Sequence, residues 1–69
     1  MDIRSYTKQE LALHYFPDAT PAVASAHLMR WIRRCAPLME QLRQSGYSKH
    51  DKVFTPIQVA HIVHYLGEP

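Results

Sequence analysis

The sequence predicts a small, mainly α-helical domain of four short helices that occupies residues 1–69. Two observations predict this class. Apolar residues recur at the spacing of amphipathic helices in several stretches, and helix-start and helix-stop residues separate these stretches at short intervals. A chain of 69 residues buries only about 60% of the surface of its unfolded form, so we expect one core built from a few large side chains.

The first and last predicted helices share one start signal. The segments YTKQELA and FTPIQVA each place a threonine three positions before a glutamate or glutamine. This is a capping box, so we expect Thr7 and Thr55 to cap helices rather than to pair in strands. Pro17 ends the first helix and Gly67 the last. In an alternative interpretation, the two aromatic–threonine segments lie side by side and form a minimal two-stranded β element at about residues 3–6 and 52–54.

The longest predicted helix starts at Thr20, with Pro21 in its first turn. Its apolar residues share one sector of about 100°: Ala24, Leu28, Trp31, Ile32 and Cys35. The same sector continues through Leu38, Met39 and Leu42, but Pro37 disfavours an unbroken helix. We therefore expect a break at 35–37 and a third helix that runs to about Ser45 and is ended by Gly46.

The inward faces of these helices predict the core. Nine residues are expected in one buried cluster: Leu11, Tyr15, Leu28, Trp31, Ile32, Leu42, Val59, Ile62 and Leu66. Trp31 is the largest of them and is interpreted as the anchor of the core. A surface role for it, as a platform on which a ligand stacks, is the alternative.

The side of the central helix opposite to Trp31 is basic. His27, Arg30, Arg33 and Arg34 fall within about 120° of one another on this side. Arginine contacts DNA phosphates and guanine, and a helix fits the major groove. A solvated face is the other interpretation, and residues 22–26 lack the Asn, Gln or Arg that commonly read bases. The net charge of +2 permits nucleic-acid binding but does not require it.

The connection at 47–54 is polar and carries Lys49 and Lys52. It is either a loop or, if residues 52–54 are extended, a short hairpin. A short first helix, a basic second helix and a basic loop together suggest a helix-turn-helix or winged-helix plan. The expected DNA-binding residues are His27, Arg30, Arg33, Arg34, Lys49 and Lys52.

Other chemistry is expected to be absent. His61 and His64 lie three residues apart, but zinc needs about four ligands, so we expect no metal and no cofactor. The six acidic residues are scattered and the core leaves little room for a cleft, so we expect neither an enzyme nor a small-molecule substrate. The single cysteine, Cys35, forms no internal disulfide and is expected to face the core. No membrane segment or signal peptide is evident, which favours the cytoplasm.

Four segments carry a family resemblance: YTKQELALHYFP, RWIRRC, the GY at 46–47, and FTPIQVAHIVHYLGEP. On these segments the chain resembles the domain-of-unknown-function family 4248, small proteins of Bacteroides-type bacteria, over nearly its whole length. The resemblance implies a bacterial protein associated with a prophage or mobile element, and it brings no activity and no functional residues. More loosely, the plan is similar to the winged-helix domains of excisionases, which is an analogy of plan alone.

Together these features predict a DNA-binding protein of helix-turn-helix or winged-helix type that binds double-stranded DNA as a transcription regulator or an accessory factor of a mobile element. The alternative is a protein–protein interaction module or small homo-oligomeric adaptor. Its contact surface would be the outer face of the last helix, which is half apolar: Ile57, His61, His64 and Tyr65.

Overall fold

The computed structural model describes all 69 residues. In chain order the elements are strand β1 (Tyr6–Thr7), helix α1 (Lys8–Tyr15), helix α2 (Pro21–Arg34), helix α3 (Ala36–Gln44), strand β2 (Val53–Phe54) and helix α4 (Pro56–Leu66). The prediction of a mainly α fold with four helices and a minimal β element is confirmed.

Both predicted capping boxes are present. The hydroxyl of Thr7 accepts from the Glu10 amide, and the Glu10 carboxylate accepts from the Thr7 amide, each at 3.0 Å. The hydrogen bond from the Thr7 amide to the carboxylate, and after it the Thr7 hydroxyl, hold the pKa of Glu10 below its ordinary value. Thr55 and Gln58 repeat the arrangement at the start of α4. Thr7 is also the last residue of β1, so the expectation that it would cap a helix instead of pairing in a strand is wrong: it does both.

The helix ends follow the predicted signals. Cys35 separates α2 from α3 with non-helical dihedral angles (φ −98°, ψ 89°), because Pro37 has no amide for the Arg33 carbonyl and its ring would clash with that carbonyl in a continuous helix. Gly46 follows α3 and Gly67 follows α4, and both have positive φ (88° and 85°), the conformation in which glycine commonly ends helices.

The two strands pair antiparallel, with Tyr6 opposite Phe54 and Thr7 opposite Val53. The alternative in which the two aromatic–threonine segments lie side by side is therefore correct, but the strands are shorter than 3–6 and 52–54. The hydroxyl of Tyr6 donates to the Asp2 carbonyl (2.8 Å), so the chain before Tyr6 folds over the tyrosine ring instead of extending the sheet.

The connection before β2 is a turn and not a hairpin. Its ends are held by the Asp51 amide, which donates to the Ser48 carbonyl (3.0 Å), and by the Ser48 amide, which donates to the Asp51 carboxylate (3.1 Å). Because β2 takes β1 as its partner, this segment forms no wing of the winged-helix kind.

One cluster of twelve buried apolar residues forms the core. Six predicted members are fully buried: Leu11, Leu28, Ile32, Leu42, Val59 and Ile62. Tyr15, Leu66 and Cys35 are partly buried and pack against the cluster. Ala24 and Leu38, which share the predicted apolar sector of the central helices, are also in the cluster, and the members that were not predicted are Tyr6, Ala12, Tyr47 and Phe54.

Trp31 is not the core anchor. It is 42% exposed, so the prediction of a largely buried indole is wrong. Trp31 lies at the edge of the apolar sector of α2, where its neighbours are Phe16 and Tyr15 at the end of α1 rather than the interior. Phe54, fully buried under α4, is the largest side chain with no exposed surface.

Candidate nucleic-acid interface

The three arginines of α2 are exposed and carry unpaired charge. Arg30, Arg33 and Arg34 form no ion pair, since the two ion pairs of the protein join Met1 to Glu68 and Arg43 to Glu40. A guanidinium without a carboxylate partner keeps its full charge available for an anionic ligand. The predicted basic surface of α2 therefore has the charge that phosphate contacts require.

His27 is less available than the arginines. It is half-buried, and its ring lies 5.3 Å from the ring of Phe16. Its Nδ1 lies 3.5 Å from Nη1 of Arg30. His27 thus packs at the edge of the basic surface and orients Arg30.

Lys49 and Lys52 are exposed as predicted, and the fold adds a third lysine to them. The amide of Lys8 donates to the Lys52 carbonyl (2.9 Å), which continues the strand pairing by one residue. Its ammonium donates to the Lys49 carbonyl (3.3 Å) and lies 5.0 Å from the ring centroid of Tyr47. We call Lys8, Lys49 and Lys52 the lysine cluster.

The lysine cluster borders an open cleft of about 480 Å³ at the start of α1. The cleft is lined by Thr7, Lys8, Gln9, Ser25 and Lys52, none of them apolar. The amides of Thr7, Lys8 and Glu10 are already bonded within the protein, so the positive charge of the cleft comes from Lys8 and Lys52. This surface has the charge that suits a phosphate group of a larger ligand.

The lysine cluster and the arginines meet along one flank of α2. Ser25 of α2 lines the lysine cleft, and Met29, one turn later, accepts from the Tyr47 hydroxyl (3.9 Å). Arg33 follows Met29 by four residues and so projects from the same flank. Arg34 lies about 100° farther round the helix. The basic surface therefore extends from the lysine cluster across Arg33 toward Arg34.

The opposite flank of α2 is aromatic. The ring centroid of Trp31 lies 4.8 Å from that of Phe16 and 6.4 Å from that of Tyr15, both nearly edge-to-face. The hydroxyl of Tyr15 donates to the Gly67 carbonyl (2.6 Å), and burial raises the pKa of Tyr15 to about 12. We call Trp31, Phe16 and Tyr15 the aromatic shelf.

Sequence reasoning missed Lys8 and the aromatic shelf for different reasons. Lys8 is far along the chain from Lys49 and Lys52, and only the matching aromatic–threonine segments pointed to their proximity. Trp31 shares its sector with Leu28 and Ile32, so helical periodicity alone assigned it to the core. Neither error affects Arg30, Arg33 and Arg34, which are exposed as expected.

The outer face of α4 presents a second surface. Ile57 is 55% and Tyr65 38% exposed, His64 is exposed, and His61 is half-buried. The His64 and Tyr65 rings lie 5.1 Å apart and nearly perpendicular. This surface is apolar in part and carries no fixed charge from Lys, Arg, Asp or Glu among these four residues.

The structure gives little support for a metal site, a membrane-spanning helix or a disulfide. No three side chains of the metal-binding types are grouped closely enough to hold an ion. Each of the four helices is too short or too polar to cross a membrane. Cys35 is free and partly buried.

The sequence of the chain matches a known protein family. Residues 2–69 match a family described as Domain of unknown function (DUF4248). No curated protein and no solved structure matches the chain. Since the match covers nearly every residue of the fold described above, the chain belongs to the DUF4248 family.

Proposed function

We propose that this protein binds double-stranded DNA through the basic surface of α2 and the lysine cluster. The observation that carries the proposal is the set of six cations with no carboxylate partner on adjoining surfaces: Arg30, Arg33, Arg34, Lys8, Lys49 and Lys52. The net charge of the protein is only +2, but these six cations lie on adjoining surfaces. They therefore create a local positive potential that attracts a phosphate backbone. A cytoplasmic role as a transcription regulator or mobile-element accessory factor is part of the same proposal.

The contacts are mainly to phosphates. The N-terminal turns of α2 carry Pro21, Ala22, Val23 and Ala26, which offer no side-chain donors to base edges. Lys49 and Lys52 project from a turn and not from a wing, so they suit backbone contacts beside the groove. Binding with little sequence preference and strong salt dependence is the expected behaviour.

The test is fluorescence anisotropy of labelled duplexes over a salt series. Reversal of Arg30, Arg33 and Arg34 to Glu should abolish binding without unfolding the protein, because all three side chains are exposed. Each single change to Ala should weaken binding to every sequence alike and reduce the slope of log K against log salt by about one. A loss confined to one sequence would instead identify a base contact.

Arg43 supplies the matched control. It lies on α3, is exposed, and pairs with Glu40 (3.6 Å), so Arg43→Glu makes the same charge change as Arg33→Glu outside the proposed surface. Arg33→Glu should weaken binding strongly and Arg43→Glu only slightly. The proposal is wrong if the wild-type protein binds no duplex at low salt, where nonspecific phosphate contacts are strongest.

A protein–protein interaction module remains the second candidate, and the exposed Ile57 and Tyr65 on α4 favour it. In that case the protein forms a homo-oligomer or an adaptor through the outer face of α4. Size-exclusion chromatography with light scattering distinguishes the two functions. A dimer that is indifferent to DNA and is lost in Ile57→Lys supports this candidate.

A further inference from the structure

The starting observation is an exposed indole beside unpaired arginines. Trp31 is 42% exposed although the aromatic shelf holds it in place, with Phe16 and Tyr15 packed against it nearly edge-to-face. On α2, Arg34 follows Trp31 by three residues and projects beside it, and Arg30 lies about 100° round the helix from Trp31, on the same side as Arg34. Neither arginine forms an ion pair.

The aromatic contacts make the indole a prepared surface rather than a mobile side chain. Two perpendicular ring contacts restrict the rotation of the indole, so a ligand that stacks on it loses little further side-chain entropy. The exposed side of the indole is bordered by the basic side of α2, where Arg34 is its nearest unpaired cation in the helix. A flat ring with adjacent cations matches a nucleobase and the phosphates that flank it.

A closed duplex does not use this surface. Its bases are stacked on one another, so only their edges and the backbone reach a protein in the groove. An unpaired base at a strand end or overhang can leave its stack and lie against an aromatic ring. Charge complementarity thus favours an anionic strand at Arg30 and Arg34, and the exposed indole favours a strand whose bases are free.

We infer that the DNA bound by this protein carries unpaired bases, and that one of them stacks on Trp31 while Arg30 and Arg34 hold the neighbouring phosphates. The inference rests on the proposed DNA binding and narrows its substrate to DNA with a single-stranded segment. Blunt duplex binds through the arginines and the lysine cluster alone, and hence more weakly.

The experiment compares three unlabelled DNAs of matched sequence: a blunt duplex, the same duplex with a short single-stranded overhang, and the single strand. Trp31 is the only tryptophan, so its fluorescence reports stacking directly in the wild-type protein. The overhang DNA should quench Trp31 emission and bind about 5- to 100-fold more tightly than the blunt duplex. Blunt duplex should bind without comparable quenching.

Two substitutions of Trp31 separate stacking from packing. Trp31→Phe keeps an aromatic ring and should retain part of the preference for the overhang, whereas Trp31→Leu should remove the preference and leave the affinity for blunt duplex unchanged. Tyr65→Leu, at an exposed aromatic residue on α4, is the control and should alter neither affinity. Far-UV circular dichroism establishes that each variant is folded.

The outcomes distinguish this inference from the proposed function. Failure to bind any of the three DNAs at low salt overturns both. Equal, arginine-dependent binding of blunt and overhang DNA with no quenching of Trp31 overturns the inference and leaves duplex binding standing. The quenching measurement needs no variant, so it decides the matter even if Trp31→Leu does not fold.

Discussion

Phe54 and Trp31 are the two aromatic residues that differ most in burial. Phe54 lies in a two-residue strand and is fully buried, stacked on Tyr47 with ring centroids 5.6 Å apart. Trp31 lies within the longest helix and is 42% exposed. Phe54 is covered because β1 pairs with its strand, α4 packs against that strand and the Tyr47 ring stacks on it, whereas the aromatic neighbours of Trp31 both come from the end of α1. The burial of a side chain therefore depends on which elements pack against it, and the periodicity of its own helix or strand does not determine it.

Truncation of the two aromatic residues should show this difference most strongly. Phe54→Ala should lower the free energy of unfolding by about 3–5 kcal/mol, because it leaves a cavity in a small core. Trp31→Ala should cost less, about 1–2 kcal/mol, since much of the indole contacts water in the folded state. Urea unfolding followed by far-UV circular dichroism measures both. If Trp31→Ala were the more destabilising change, the assignment of Phe54 as the centre of the core would be incorrect.

The polar contacts beside Phe54 offer a second comparison. Gln58 is 3% exposed; its side chain accepts from the Thr55 amide (3.0 Å) and donates to the Ser45 carbonyl (3.2 Å). Gln58→Ala should therefore lower the free energy of unfolding by about 2 kcal/mol, because it removes a buried side chain together with two partly buried hydrogen bonds. Glu10→Ala removes the equivalent capping-box side chain from an exposed site and should have a clearly smaller effect. Equal losses in thermal denaturation would show that Gln58 acts only as a cap.

The smallest effect is expected from the pH dependence of Tyr15, beneath Trp31. Burial, and to a lesser degree the Glu68 carboxylate, raises the pKa of Tyr15 to about 12, whereas the pKa of tyrosine in an unfolded chain is about 10. Between these values the unfolded chain loses a proton that the folded chain keeps. The stabilisation is complete below about pH 10 and decreases as the pH rises toward 12.

Thermal melts from pH 8 to pH 11 measure this decrease. Tyr15→Phe should flatten the fall of Tm with pH, and Tyr65→Phe, at an exposed tyrosine, should follow the wild-type curve. A wild-type curve that does not fall faster than that of Tyr15→Phe would mean that water reaches the Tyr15 hydroxyl freely.

Local chemistry made most of the fold predictable. Thr7, Thr20 and Thr55 all cap helices, as their hydroxyls and the residues that follow them indicate. Pro37 and Gly46 set the limits of α3. These signals act over three or four residues, so they are legible in a single sequence. The exposed arginines of α2 were predictable for the same reason.

Long-range pairing was not predictable to the same degree. Tyr47 enters the core because its ring stacks on Phe54 and its hydroxyl contacts Met29 of α2, and Lys8 joins Lys49 and Lys52 only because β1 pairs with β2. The matching aromatic–threonine segments carried that information, but helix capping explains most of the same pattern. The DNA-binding roles of these residues stay predictions.

The pairing of β1 with β2 also has a consequence for the order in which the domain is assembled. It joins Tyr6 to Phe54, so almost the whole domain lies between the two partners. During synthesis α1, α2 and α3 leave the ribosome before β2 and α4, and until then Tyr6 lacks its strand partner Phe54. Closing so long a loop is entropically costly and is repaid only when α4 docks. Nascent chains that lack α4 hence expose core surface, so we expect the domain to fold only after its synthesis is complete.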